Sequence, residues 1–203
     1  MPMPSFEEAA LGVCTLGRFC HAKGWVPATS GNFSAALGAA PVRLAITPSG
    51  VDKGALVPAD ILELDASGRV LQGAGRPSAE TAIHFAILRA RAAGAVAHTH
   101  SLTATRLSEA HARAGALVLR GYEMLKALAG VTTHEHEECL PIVENTQDWA
   151  AAEPAVAAML EEHAAAHAFL IRGHGLYTWG RDVAETLRHV EAIEYLLETV
   201  GRS

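Results

Sequence analysis

A short apolar run that carries two histidines constrains the fold of this 203-residue chain more than any other feature. Ala95–Thr99 is partly β-branched and lies between two segments of helical periodicity, 79–92 and 101–113. A run of this length between helices predicts a buried strand in an α/β fold. Because alternate residues of a strand point to the same face, His98 and His100 can converge on one ion.

His174 is the candidate for a third ligand. It lies between Gly173 and Gly175, directly after a predicted strand, and glycine permits the unusual backbone angles and the close approach that such a turn needs. Catalytic zinc takes three protein ligands and keeps one position open. Alternatives remain for both parts of this site. His98 and His100 can form hydrogen bonds to neighbouring groups without binding a metal, and His174 can be a polar residue of a tight turn without a ligand role.

A second histidine pair at the same spacing, His134 and His136, lies in the charged run 134–138. No apolar strand surrounds this pair, so we interpret the run as a solvated loop, with a role at the rim of a site as the alternative. The other histidines are expected in helices, as exposed or locally bonded side chains. They are His21, His84, His111, His163, His167 and His189.

Periodicity, capping signals and turn residues predict the remaining elements. Ser5 and Glu8 match a capping box at the start of helix 5–23, and Asp148 can cap a helix that runs to about residue 166. The other predicted helices are 79–92, 101–113, 122–129 and 182–200. The predicted strands are 42–47, 61–64, 69–72, 95–99, 116–119, 140–143, 169–172 and 176–179, and 29–34 is predicted as a turn or loop.

Helices that alternate with short strands predict a layered α/β/α fold with a mixed or mostly antiparallel central sheet. No linker or repeat divides residues 1–203, so we expect a single domain. Half of the residues are apolar and 19% are charged, which is typical of a globular protein with a sizeable core.

Charge and cysteine content exclude several classes of function. The chain has 22 acidic and 16 basic residues, and the basic ones are too scattered to form an electrostatic footprint for nucleic acid. Cys14, Cys20 and Cys139 lack the spacing of a zinc site and are too few for a disulfide framework. Because we find no signal peptide and no apolar run long enough to span a membrane, we expect a cytoplasmic protein.

Two glutamates are candidates for acid–base chemistry. Glu80 stands at the start of the 79–92 helix, and Glu123 stands at the start of the 122–129 helix. Each carboxylate also suits the dipole of its helix, which is the alternative interpretation. A site built on zinc needs a group that transfers protons, and few other acidic residues lie beside the motifs.

Three turns of small residues are candidates for binding an anion, because backbone N–H groups at such turns can surround a phosphate without a lysine. They are 30–32, 48–50 and 77–78. Neither GxxxxGK[ST] nor GxGxxG occurs, which excludes the nucleotide loops of those types. Ordinary β-turns are the alternative for each of the three.

Together these motifs resemble the class II aldolase and adducin family, over nearly the whole chain from about residue 6 to residue 200. The motifs that carry the resemblance, in the order and spacing of the family, are Ser30-Gly-Asn32, Thr47-Pro-Ser-Gly50, Pro77-Ser-Ala-Glu80, His98-Thr-His100 and Gly173-His-Gly175. The resemblance implies one zinc ion per subunit, held by His98, His100 and His174. It also implies a substrate phosphate group near Asn32, Ser49, Gly50 and Ser78.

The resemblance is closest to a dehydratase branch of the family, mainly in the runs 122–126 and 141–146. It implies that the enzyme removes water from 5-methylthioribulose 1-phosphate, through a zinc-stabilised enediolate, to give 2,3-diketo-5-methylthiopentyl 1-phosphate in methionine salvage. Glu123 matches the acid–base residue of that branch and is the favoured candidate, and Glu80 matches the general base of the aldolases. Many aldolases have Ser where this chain has Ala79, so one hydroxyl contact to phosphate is absent.

The family also implies a homo-oligomer, with a tetramer favoured and with sites at the subunit boundaries. One alternative function is a zinc-dependent aldolase or epimerase that acts on another sugar phosphate, with the same metal and enediolate but a different bond broken. A second alternative is a non-catalytic scaffold like the adducin head. In such a scaffold we would expect the metal histidines to be lost, whereas all three are present here.

Overall fold

A mixed β-sheet with helices on both faces organises the chain, as the sequence predicts. The computed structural model describes residues 4–39 and 41–202. The α-helices in this part are α1 (Phe6–Ala22), α2 (Thr81–Arg91), α3 (Leu102–His111), α4 (Trp149–Glu162) and α5 (Val183–Gly201). The strands are β1 (Asn32–Ala39), β2 (Val42–Ile46), β3 (Leu62–Leu64), β4 (Val70–Gln72), β5 (Ala95–Thr99), β6 (Ala116–Leu119), β7 (Glu138–Val143), β8 (Ala168–Ile171) and β9 (Gly175–Gly180).

The strand order within residues 4–39 and 41–202 is β4-β3-β2-β1-β5-β9-β8-β7-β6. Among these described strands, neighbours pair antiparallel except β7 and β8, which run parallel. Strand β5 occupies the middle of the sheet, and all five of its residues are buried. The strand that carries His98 is therefore covered on both faces, as its apolar lead-in predicts.

Helices α1, α3 and α5 pack on one face of the sheet, and α2 and α4 pack on the other. The predicted caps are present: Ser5 and Glu8 form the capping box of α1, and the Asp148 side chain accepts a hydrogen bond from Ala151 N at the start of α4. None of the helices in the described ranges is long and apolar enough to cross a membrane.

Three predicted elements differ from the structure. Strand β1 begins at Asn32, inside the predicted turn 29–34, because pairing with β2 and β5 stabilises an alanine-rich segment whose own strand propensity is low. The predicted helix 122–129 is a 3₁₀ turn over Glu123–Ala127. His163 and His167 are not in a helix, because α4 ends at Glu162 and both lie in the segment between α4 and β8.

A close approach of two backbones brings His174 to the end of β5. In the register of β5 and β9, His98 lies opposite Tyr177 and Thr99 opposite Leu176. A Cβ atom at Gly175 would lie 2.0 Å from the carbonyl oxygen of Thr99, so only glycine allows this approach. The turn that precedes β9 is thereby held beside the histidines of β5.

A buried ion pair fastens the starts of the parallel strands β7 and β8. Glu138, which is 1% exposed, accepts hydrogen bonds from the backbone N–H of His167 through Oε1 and from the Nδ1 of His167 through Oε2, the latter at 2.9 Å. The Nε2 of His167 donates to the carbonyl oxygen of Ala129 at 2.9 Å. Since both ring nitrogens donate, His167 is an imidazolium.

This pair predicts a pH-dependent contribution to stability. Burial lowers the pKa of His167, but the Glu138 carboxylate has the larger effect and raises it. Burial likewise raises the pKa of Glu138, but the hydrogen bonds and charge of His167 have the larger effect and lower it. The stabilisation is therefore complete between about pH 4.5 and 6.5, and it is lost as the pH rises through the raised pKa of His167.

We expect Glu138→Gln to lower the free energy of unfolding by about 3 kcal/mol at pH 6 and by less at pH 9. Urea unfolding at the two pH values measures this difference. Glu137→Gln is the matched control, because Glu137 lies one residue away in an exposed pair with Arg120 and should contribute less than about 1 kcal/mol. An equal loss at both pH values would contradict the ion pair.

Candidate metal centre

Three imidazole nitrogens converge at the carboxyl end of β5. The Nε2 atom of His98 lies 2.8 Å from that of His100 and 3.4 Å from that of His174. The Nε2 atoms of His100 and His174 are 3.0 Å apart. The structure thus brings together the three residues that the sequence predicts as ligands.

Hydrogen bonds on the far side of two rings fix their tautomers. The Nδ1 of His98 donates to the carbonyl oxygen of Leu176 at 2.9 Å, and the Nδ1 of His174 donates to the Oδ1 of Asn145 at 3.2 Å. The Nε2 of each ring therefore presents a lone pair, and the contact between these two atoms is not a hydrogen bond. Outer hydrogen bonds of this kind orient most metal-binding histidines.

The donor set fits a divalent transition metal. Four-coordinate zinc with Zn–N distances of about 2.0–2.1 Å places its nitrogen ligands roughly 3.3–3.4 Å apart. The three nitrogens here are 2.8–3.4 Å apart, and each ring has its Nε2 turned toward the others. A cation between the rings would account for the approach of the two Nε2 lone pairs of His98 and His174.

Glu80 is the fourth group at this centre. Its carboxylate lies 3.2 Å from the Nε2 of His174 and 3.5 Å from the Nε2 of His98. The residue is 8% exposed and precedes α2, so it faces the site rather than solvent at the helix end. Burial raises the pKa of Glu80, whereas the hydrogen bond from the Asn32 amide favours its ionised form, as a cation held by the three histidines would. Glu80 is therefore a carboxylate beside the metal ligands.

A buried chain of hydrogen bonds holds Asn32 and Glu80 in place. The Asn32 amide donates to Glu80 Oε2 at 2.6 Å, and its Oδ1 accepts from the Nε2 of His84. The Nδ1 of His84 then accepts from the hydroxyl of Ser34 at 2.7 Å. Burial lowers the pKa of His84 to about 3, so the ring is neutral and its tautomer orients the Asn32 amide toward Glu80.

The residues predicted to hold a phosphate group line one cavity of about 160 Å³ next to the metal ligands. They are Asn32, Ser49, Gly50 and Ser78. Glu80, His100 and His174 line the same cavity. One of its turns depends on Gly31, which has φ +72° and whose Cβ atom would lie 2.7 Å from the carbonyl oxygen of His98.

A second, wider cavity of about 390 Å³ opens on the other side of the ligands. His100, His174 and Ser30 line both cavities, and Pro27, Thr105 and Asn145 are among the residues that line only the second. Two of the three candidate ligands, His100 and His174, therefore lie at the junction of two cavities.

Glu123 lies apart from the metal ligands in the chain that the structure describes. Its side chain is 71% exposed, pairs with Lys126 and lies 3.8 Å from His134. Glu123 lines neither cavity that contains His100 and His174. It follows β6, which is four strands from β5 and thus about 19 Å away across the sheet at roughly 4.8 Å per strand.

Several residues of the centre escaped the sequence analysis. Asn145 and the Leu176 carbonyl orient two ligands, and the ring of Tyr177 stacks on His98 with centroids 4.0 Å apart. For His84 a signal existed: it follows Glu80 by four residues, so both lie on one helical face. Asn145 lies in the run 141–146 that carries the resemblance, but nothing local gives it a role, and the pairing of β9 with β5 and β8 brings Leu176 and Tyr177 to the site.

Comparison with known proteins places the chain in a family. Residues 12–200 match the class II aldolase and adducin N-terminal domain. The chain is 50% identical over 196 residues to a protein of Sorangium cellulosum named methylthioribulose-1-phosphate dehydratase, which covers 96% of this chain and 92% of the relative. A protein of Methylococcus capsulatus with the same name is 49% identical over 202 residues, with 97% and 95% covered.

Solved structures have the same fold. An L-fuculose 1-phosphate aldolase superimposes with a TM-score of 0.77 at 24% identity, covering 97% of this chain and 86% of that one. The L-fuculose-1-phosphate aldolase of Thermus thermophilus superimposes with a TM-score of 0.73 at 26% identity, covering 94% and 92%. The family match over most of the sequence and the relatives at up to 50% identity lead to one conclusion: this chain belongs to the class II aldolase and adducin family.

Proposed function

We propose that this protein is a lyase that removes water from 5-methylthioribulose 1-phosphate and yields 2,3-diketo-5-methylthiopentyl 1-phosphate, a step of methionine salvage. Relatives of that name at 43–50% identity over nearly the full chain support the assignment. The observation that carries it in the structure is the junction of three histidines and Glu80 beside a cavity of small polar residues. We place the reaction in the cytoplasm and assign residues 1–203 to one domain.

The metal is proposed to be zinc, one per subunit, on His98, His100 and His174. Three neutral imidazoles with a position left open are a catalytic zinc set. A bound zinc ion supplies a Lewis acid that makes the C3 proton of the ketose more acidic. The hydrogen bonds of Leu176 and Asn145 hold two of the ligands ready for the ion.

The cavities suggest how the substrate lies. We assign the C1 phosphate to the cavity of about 160 Å³, where Asn32, Ser49, Gly50 and Ser78 offer backbone and side-chain donors. The C4 and C5 end with its methylthio group then extends into the wider cavity, whose lining includes Pro27. This arrangement places C2 and C3 over the metal ligands.

The two glutamates divide the proton transfers in this proposal. Glu80 is an ionised carboxylate within 3.5 Å of two ligand nitrogens, so it can take the C3 proton. The C4 hydroxyl leaves as water when it receives a proton, and the enol that remains becomes the second ketone. Glu123 of a neighbouring subunit delivers that proton after taking it from solvent, since its pairing with Lys126 lowers its pKa and keeps it ionised beforehand. Its exposed position fits a boundary between the subunits of a homotetramer.

Product analysis tests the reaction. Zinc-loaded protein is incubated with 5-methylthioribulose 1-phosphate and followed by phosphorus NMR and mass spectrometry. We expect a phosphate product lighter by one water, and His98→Ala should abolish both its formation and metal binding, because one of three ligands is lost. His111→Ala, at the end of α3 and outside the centre, is the control and should stay active. A three-carbon phosphate product would contradict dehydration and favour an aldolase.

Mixing inactive variants tests the position of Glu123. Glu123→Gln should lower kcat by about 10²–10⁴-fold, the usual contribution of acid–base assistance. If its carboxylate serves a neighbouring subunit, dissociation and reassembly with equal amounts of His98→Ala should restore roughly a quarter of the sites. Random mixing gives about that fraction of sites both an intact His98 from one chain and an intact Glu123 from its neighbour. Mixtures that stay inactive would place Glu123 outside the neighbouring site.

A further inference from the structure

Lys53 is a fully buried lysine that the reaction described above does not use. Its side chain is 0% exposed. The ammonium Nζ donates to the carbonyl oxygen of Thr29 at 2.8 Å and to that of Val51 at 2.9 Å. These acceptors belong to two separate turns of the chain, so Lys53 joins the turn before β1 to the turn after β2.

The charge of Lys53 has no carboxylate partner. In the part of the chain that the structure describes, no Asp or Glu oxygen lies within 4.0 Å of its Nζ. Burial lowers its pKa to about 8, partly offset by Asp52, so the ammonium form predominates at pH 7. An isolated buried charge is costly, and a methionine of similar volume would avoid that cost.

The two turns that Lys53 joins also line the cavity assigned to the substrate phosphate. Thr29 and Ser30 come from the first turn, and Ser49 and Gly50 come from the second. The lining includes no Lys or Arg, and it includes the Glu80 carboxylate. A phosphate ester carries a charge of about −1.5 to −2 at pH 7, and apart from a metal on the histidines the lining supplies no positive charge for this group.

We propose that Lys53 is the buried cation that gives this cavity its affinity for a phosphate ester, acting from behind the two turns rather than by contact. The carbonyl oxygens of Thr29 and Val51 point to the ammonium, which fixes the orientation of both turns. The ammonium also lowers the energy of a dianion in the cavity through a medium less polar than water. Lys53 is thus a positioning residue for the proposed reaction and sets its selectivity for phosphorylated ketoses. The inference rests on the proposed function.

Substitutions of Lys53 distinguish a role in phosphate binding from a purely structural role, in which the side chain only links the two turns. Lys53→Met removes the charge at similar volume, and Lys53→Gln removes the charge but keeps a hydrogen-bond donor. In the zinc-loaded enzyme we expect either variant to raise the KM for 5-methylthioribulose 1-phosphate and the Kd for inorganic phosphate by about tenfold or more. The kcat and the inhibition constant of the unphosphorylated ketose should change by less than about threefold.

Stability provides a second readout. In Lys53→Met the lost hydrogen bonds to Thr29 and Val51 are offset by removal of the unpaired buried charge, so its Tm should stay within about 3 °C of the wild type, whereas a purely structural tie predicts a clearly lower Tm. Lys23→Met is the control, because it removes a half-exposed ammonium paired with Glu191 and should leave phosphate binding unchanged. Wild-type phosphate affinity in Lys53→Gln, or equal weakening toward the unphosphorylated ketose, would overturn the proposal.

The assay also separates this inference from the proposed function. If the wild type binds inorganic phosphate and Lys53→Gln does not, Lys53 has the proposed role even when 5-methylthioribulose 1-phosphate is not dehydrated. If the wild type itself does not bind phosphate in a titration followed by phosphorus NMR, the phosphate cavity and the role of Lys53 both fail.

Discussion

The packing of β5 against β9 is the interaction on which the rest of the site depends. Strand β5 is the central strand of the sheet, and β9 begins beside its last residue, Thr99. Gly175 allows this approach, because a Cβ atom there would overlap the Thr99 carbonyl. The turn before β9 then presents His174 to His98 and His100 with Nε2 atoms 2.8–3.4 Å apart. Two strand ends and one glycine thus bring together three imidazole nitrogens that could hold a cation.

Two charged side chains, Glu80 and Lys53, contribute to the site around these histidines. The Glu80 carboxylate adjoins the ligands and is fixed by Asn32, whose amide is in turn oriented by the buried neutral ring of His84. The Lys53 ammonium is buried behind two turns that line the small cavity. This set of charges suits a substrate with a ketose at one end and a phosphate at the other, because a metal and a carboxylate can act on the ketose and the ammonium favours the phosphate.

Most of the elements and the convergence of the three candidate ligands follow from local signals in the sequence. Strand alternation predicts that His98 and His100 share a face, and the capping box of α1 starts at Ser5 as expected. Strand β1 could not be predicted in this way, since an alanine-rich strand is stabilised by its neighbours rather than by its own propensity. The contact of Asn145 with His174 and the role of Lys53 could not be predicted, because they arise from chain segments brought together only by folding.

X-ray absorption spectroscopy of the purified protein tests the central claim, that these strand ends form a catalytic metal centre. The account predicts one zinc per chain, with three imidazole nitrogens at about 2.0–2.1 Å and at least one further light-atom ligand. Replacing His174 by alanine should remove one imidazole from the spectrum. A protein that folds normally but holds no metal, or one whose metal is bound by sulfur, would contradict the account.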